Sequence, residues 1–76
     1  MNIDTNEIAL DTTLKKLKSY NVMKRNTIYL LKEYGATNVA DILAVDPVAF
    51  LDVKGVGKVT YSDLKKFQNK FSHLKE

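Results

Sequence analysis

The chain has no cysteine and no tryptophan, one proline, one histidine and three glycines. Without cysteine there is neither a disulfide framework nor a thiolate metal site, a usage that fits a reducing compartment. The one histidine, His73, stands near the end of the sequence with no evident partner, and no carboxylates gather at metal-ligand spacing. No metal, cofactor or catalytic activity is therefore expected. No apolar run approaches the roughly 20 residues that span a bilayer, and the N-terminus lacks the charged-then-apolar order of a signal peptide. The expectation is a soluble, cytoplasmic protein without a membrane partner. At 76 residues the chain makes at most one domain, near the lower limit for a core without staples. A pocket for a small-molecule substrate is hard to build in so small a body.

What is present is charge, unevenly placed. Residues 1–13 hold Asp4, Glu7 and Asp11 and no lysine or arginine, a local −3. Since the whole chain carries +3, residues 14–76 carry +6. A small basic body behind an acidic leader suits a polyanionic partner.

Apolar residues recur at helical rather than strand spacing. Residues 1–10 have few regularly spaced packing positions and read as a flexible acidic leader, with Asp4 and Glu7 as a possible capping box. Asp11 or Thr12 then caps a helix over about 13–20, with Leu10, Leu14, Leu17 and Tyr20 on one face and Lys15, Lys16 and Lys18 elsewhere. A second helix runs from Lys24 to Tyr34, with Ile28, Leu31 and Tyr34 inward, and ends at Gly35. Thr37 or Asn38 caps a short helix over Val39–Leu43. Asp46-Pro47, an N-cap followed by proline at the first helical position, opens another over about 47–52 that buries some of Val48, Phe50 and Leu51. The last helix starts near Lys58 and carries Tyr61, Leu64, Phe67, Phe71 and Leu74 on one stripe. Asp63, Lys65, Lys66, Asn69 and Lys70 lie opposite and read as its solvated face. Tyr20, Tyr29, Tyr34 and Tyr61 read as half-buried core rather than stacking platforms, with Tyr29 the exception to test. The result is an all-α domain over residues 11–76 with about five short helices.

The organising stretch is Lys54-Gly55-Val56-Gly57-Lys58. Glycine at 55 and 57 permits positive φ and close approach of another backbone. The helix that follows exposes first-turn N–H groups without intrahelical partners, a ready anion site next to Lys58 and Lys54. The simpler reading is a turn that only reverses the chain. The weak repetition of helix, Gly35 turn, helix and then helix, Gly55–Gly57 turn, helix reads as two stacked helix-hairpin-helix units.

These residues resemble the hairpin of helix-hairpin-helix DNA-binding domains. More closely, residues 23–67 resemble the C-terminal domain of the bacterial RNA polymerase alpha subunit, of SAM-like fold. The resemblance rests on Leu30-Leu31-Lys32-Glu33-Tyr34-Gly35, Thr37-Asn38-Val39-Ala40-Asp41-Ile42-Leu43, Phe50-Leu51-Asp52-Val53-Lys54-Gly55-Val56-Gly57-Lys58 and Thr60-Tyr61-Ser62-Asp63-Leu64-Lys65. Tyr61, a large residue where DNA-repair hairpins take a small one, favours the polymerase type. That resemblance implies binding in the minor groove of promoter DNA and contact with transcription regulators. The family's hairpin glycine falls on Gly57, the basic residue after it on Lys58, its serine on Thr60 and its acidic helix residue on Asp63. The minor-groove arginine falls on Asn26, an asparagine one turn later on Tyr29 and a lysine of the last helix on Val59; Lys24 and Arg25 stand beside the missing arginine.

The expected contacts are therefore Lys54, Gly55, Val56, Gly57, Lys58 and Thr60 to phosphate, with Lys24, Arg25 and Asn26 towards the groove. Two functions fit: a DNA-binding accessory module of transcription or DNA maintenance, or a protein-interaction module of the same fold that binds RNA polymerase, a regulator or a second copy of itself. The departures at Asn26, Tyr29 and Val59 favour the second, and the glycines, Lys58 and the basic body favour the first.

Overall fold

Three of the five α-helices begin where a short polar side chain takes up a free N–H, and that punctuation sets the architecture. The computed structural model describes residues 8–75. The Thr13 hydroxyl accepts from Lys16 N–H at 3.2 Å and opens α1, Leu14–Tyr20. Asn21, in the left-handed region at φ 58°, closes it. α2 is Arg25–Tyr34 and ends at Gly35 (φ 113°), where Ala36 N–H returns to the Leu31 carbonyl at 3.0 Å. Asn38 caps α3, Val39–Ala44, through Asp41 N–H at 3.0 Å. The Asp41 carboxylate reaches back to the Thr37 N–H (2.9 Å) and hydroxyl (2.7 Å), a reciprocal box. These two donors hold the Asp41 carboxyl below its ordinary value. Asp46 caps α4, Pro47–Phe50, with proline at its start. α5, Lys58–Phe71, continues into a 3₁₀ turn, Ser72–Lys75.

Among the described residues there is no strand, only one antiparallel bridge between Thr13 and Asn38. Leu14 N–H to the Thr37 carbonyl and Val39 N–H to the Thr12 carbonyl flank it and tie the starts of α1 and α3 together. α5 packs against α2, α3 and α4, and α1 packs against α2. The core between them holds Leu17, Leu31, Val39, Ile42, Phe50 and Leu64, all without exposed surface. Each contributes about 1.5–3 kcal/mol by leaving water. Gln68 joins α5 to the end of α3 by donating to the carbonyls of Ile42 (3.0 Å) and Val45 (2.7 Å).

Several packing expectations shift. Leu10, assigned to the buried face of α1, is 38% exposed, and Ile8 is buried at 3% instead. Leu10 still contributes its carbonyl, which accepts from Ala40 N–H at 2.9 Å. Residues 8–10, counted in the leader, therefore pack on the domain, while the proposed box of Asp4 and Glu7 lies outside the described residues. α4 stops at Phe50, short of residue 52, because successive i→i+3 bonds from Asp52 and Val53 tighten the chain into the next turn. With so short a helix only Phe50 turns fully inward; Val48 (65%) and Leu51 (41%) stay exposed. Tyr34, expected inward, is 43% exposed and meets the Phe50 ring edge-on at 5.4 Å.

Candidate nucleic-acid interface

The connection from α4 to α5 is a tight turn whose apolar residues hold it down and whose polar residues face out. Val56 N–H donates to the Val53 carbonyl at 3.1 Å, and both side chains are partly buried against the core. Gly55 sits between them at φ 96°, and a Cβ there would lie 3.4 Å from Leu30 Cδ2. The turn thus needs glycine at 55 for its torsion and rests on α2. Lys54, Gly55, Gly57 and Lys58 are exposed.

Gly57 behaves differently from the expectation of positive φ. It is the N-cap of α5 at φ −116°, ψ −167°, extended backbone open to any residue, because an N-cap must leave the helical region. A Cβ there would meet nothing within 4 Å. The fold therefore does not demand glycine at 57. Its carbonyl accepts from Tyr61 N–H at 2.9 Å, and no side chain caps the helix. The N–H groups of Lys58, Val59 and Thr60 are those that a helix start leaves without an intrahelical partner, and the macrodipole adds partial positive charge there.

Thr60 is 6% exposed, so its side chain faces the core and only its N–H remains for a partner. Val56 is half-buried. Val59 projects outward, 63% exposed, beside Lys58.

The second set of expected contacts adjoins the first through Asp63. α2 opens on Lys24 with no cap from its own side chain. In place of a local cap, Asp63 Oδ2 accepts from Lys24 N–H at 2.9 Å and from the Thr27 hydroxyl at 2.8 Å. Asp63, assigned to the solvated face of the last helix, is instead a bridge between helices that seats the start of α2 on the second turn of α5. Lys24, Arg25 and Asn26 are exposed at that start. Among the described residues no ion pair neutralises Lys24, Arg25, Lys54 or Lys58.

One surface escaped the reading of the sequence. An open groove of about 600 Å³ runs between α1 and α2, with Lys15 and Lys18 on one side and Arg25, Tyr29 and Lys32 on the other. Its signal was the spacing itself, 15 and 18 on one helix and 25, 29 and 32 on the next. It could not be assembled without knowing how α1 docks. Tyr29, the exception among the four tyrosines, is 58% exposed. The Glu33 carboxylate, one turn on, raises the pKa of the phenol above its ordinary value.

No family model, curated protein or solved structure matches the chain. Among the described residues no group of His, Cys, Asp and Glu is arranged to hold a metal ion, and no helix is long and apolar enough to cross a membrane.

Proposed function

We propose that this chain is a nucleic-acid-binding accessory module of transcription or DNA maintenance, built as paired helix-hairpin-helix units in the manner of the RNA polymerase alpha C-terminal domain. The observation that carries the reading is the start of α5. It is exposed, lacks a side-chain cap, lies between Lys54 and Lys58, and is fronted by a glycine that neither torsion nor packing requires.

A phosphate of duplex DNA accepts from the amides of residues 58–60, while Gly57 leaves room for the approach of its backbone. Lys54 and Lys58 add charge, and such contacts position the protein without reading bases. Lys24, Arg25 and Asn26, adjoining through Asp63, reach the neighbouring groove. With about four cations engaged, the logarithm of affinity falls with the logarithm of salt at a slope near −3.6. Fluorescence anisotropy of labelled duplex across a salt series tests this. Lys58→Glu should weaken binding to every duplex sequence without changing the circular dichroism spectrum. Salt-independent binding, or full affinity in Lys58→Glu, refutes the proposal.

The exposed apolar side chains Val48, Leu51 and Val59 favour a second reading, a docking module for RNA polymerase or a regulator. In that case Val59→Asp abolishes partner binding while DNA binding is absent from the start.

A further inference from the structure

The groove between α1 and α2 has a composition that the hairpin reading does not use. Lys15, Lys18, Arg25 and Lys32 line it, and no carboxylate is among its lining residues. Two carboxylates stand at its margin: Glu33, one turn on from Tyr29, and Asp41, which accepts from the N–H (2.9 Å) and hydroxyl (2.7 Å) of Thr37. The apolar floor is closed: Leu14, Ile28 and Ala36 are only 5%, 3% and 5% exposed. A peptide seeking a hydrophobic anchor hole finds none. The one large apolar surface the groove offers is the ring of Tyr29.

That ring is also the uncovered one. Tyr20 lies under the Lys16 ammonium (6.0 Å), Tyr61 under that of Lys65 (5.6 Å), and Tyr34 packs against Phe50. Among the described residues no aromatic or cationic group covers Tyr29. A flat π-face set among cations is the chemistry that takes an unstacked base and its flanking phosphates. The groove is continuous with the proposed duplex site, because Arg25 belongs to both.

We infer that the α1–α2 groove binds a single-stranded extension of the nucleic acid whose duplex part rests on the hairpin, with a base stacked on Tyr29 and its phosphates on Lys15, Lys18 and Lys32. The inference rests on the duplex-binding reading and narrows its substrate to a duplex–single-strand junction.

The test uses the full chain and three labelled probes: a blunt DNA duplex, the same duplex with an oligothymidine overhang, and the oligothymidine alone. The overhang should tighten binding by about five- to hundredfold over the blunt duplex, the range that one stacked base spans. Tyr29→Ala should reduce the overhang duplex to blunt affinity, and Tyr29→Phe, which keeps the ring, should retain the preference. Replacing Lys18 and Lys32 by glutamine should lower the salt slope of the overhang complex by about 1.4.

Equal affinity for blunt and overhang duplexes overturns the inference and leaves the hairpin reading standing. If the blunt duplex fails to bind, the hairpin reading falls. The groove then stands on Tyr29-dependent binding of oligothymidine alone and falls without it. A glutamate-rich peptide that displaces oligothymidine and is itself insensitive to Tyr29→Ala overturns it in favour of a protein partner.

Discussion

Replacing Asp63 by alanine should do more damage than its half-exposed position suggests. Its Oδ2 is the acceptor for two donors, the Lys24 N–H at 2.9 Å and the Thr27 hydroxyl at 2.8 Å. Hydrogen bonds to a charged group contribute about 1.5–3 kcal/mol, and a buried hydroxyl left without a partner costs about 1–3 kcal/mol. Thr27 has no exposed surface, so water cannot take the place of the carboxylate there. The Lys24 N–H is exposed and recovers a water, which puts its share at the low end. The sum is about 2–3 kcal/mol, or roughly 10–20 °C in midpoint for a domain of this size. Thermal and urea denaturation followed by far-ultraviolet circular dichroism measures it. The mechanism has its own signature in a double-mutant cycle. Thr27→Val should cost much less in the Asp63→Ala background than alone, with a coupling of about 1–2 kcal/mol. A loss under about 0.5 kcal/mol for Asp63→Ala, or strict additivity with Thr27→Val, refutes the claim that this carboxylate seats α2 on α5.

Three further outcomes separate the parts of the account. Gly55→Ala forces a side chain into the left-handed region (φ 96°) and towards Leu30, and should cost about 1–2 kcal/mol in urea denaturation. Gly57→Ser should leave the midpoint unchanged or raise it, since serine is a good N-cap in extended backbone. The same variant should weaken duplex binding in an anisotropy titration, because the hydroxyl takes an amide that the phosphate would use. For Asp41, the Thr37 hydroxyl and amide depress the folded pKa, so its contribution is complete above the ordinary value of 3.8 and is lost as pH falls below it. Asp41→Asn should flatten the acid limb of a plot of urea midpoint against pH, and an unchanged acid limb contradicts the box.

The helices were legible because their punctuation is local. Asn38, Asp46-Pro47, Gly35 and the apolar rhythm of α5 each act through neighbours three or four residues away, and α2, α3 and α5 begin or end within a residue or two of expectation. What the sequence hid depends on long-range partners. Ile8 replaces Leu10 in the core because the chain before α1 crosses α3, a contact set by the Thr13–Asn38 bridge. Asp63 sits among lysines on a stripe that looks solvated, and its donors lie more than 30 residues away. Gln68 is hidden for the same reason, since the carbonyls it satisfies belong to the end of α3. Of the site, the exposed turn and its cations were readable from Lys54 to Lys58. The extended conformation of Gly57 was not, because glycine in a sequence does not disclose which of its allowed conformations is used.

The central claim is that the start of α5 receives a nucleic-acid backbone. Amide chemical shifts recorded while short duplex DNA is titrated into labelled protein at low salt test it most directly. The account predicts saturable shifts concentrated at residues 54–60, with smaller ones at 24–26, that collapse when salt is raised and are absent in Lys58→Glu. Hairpin amides that stay in place at low salt, whether or not signals move elsewhere, contradict it.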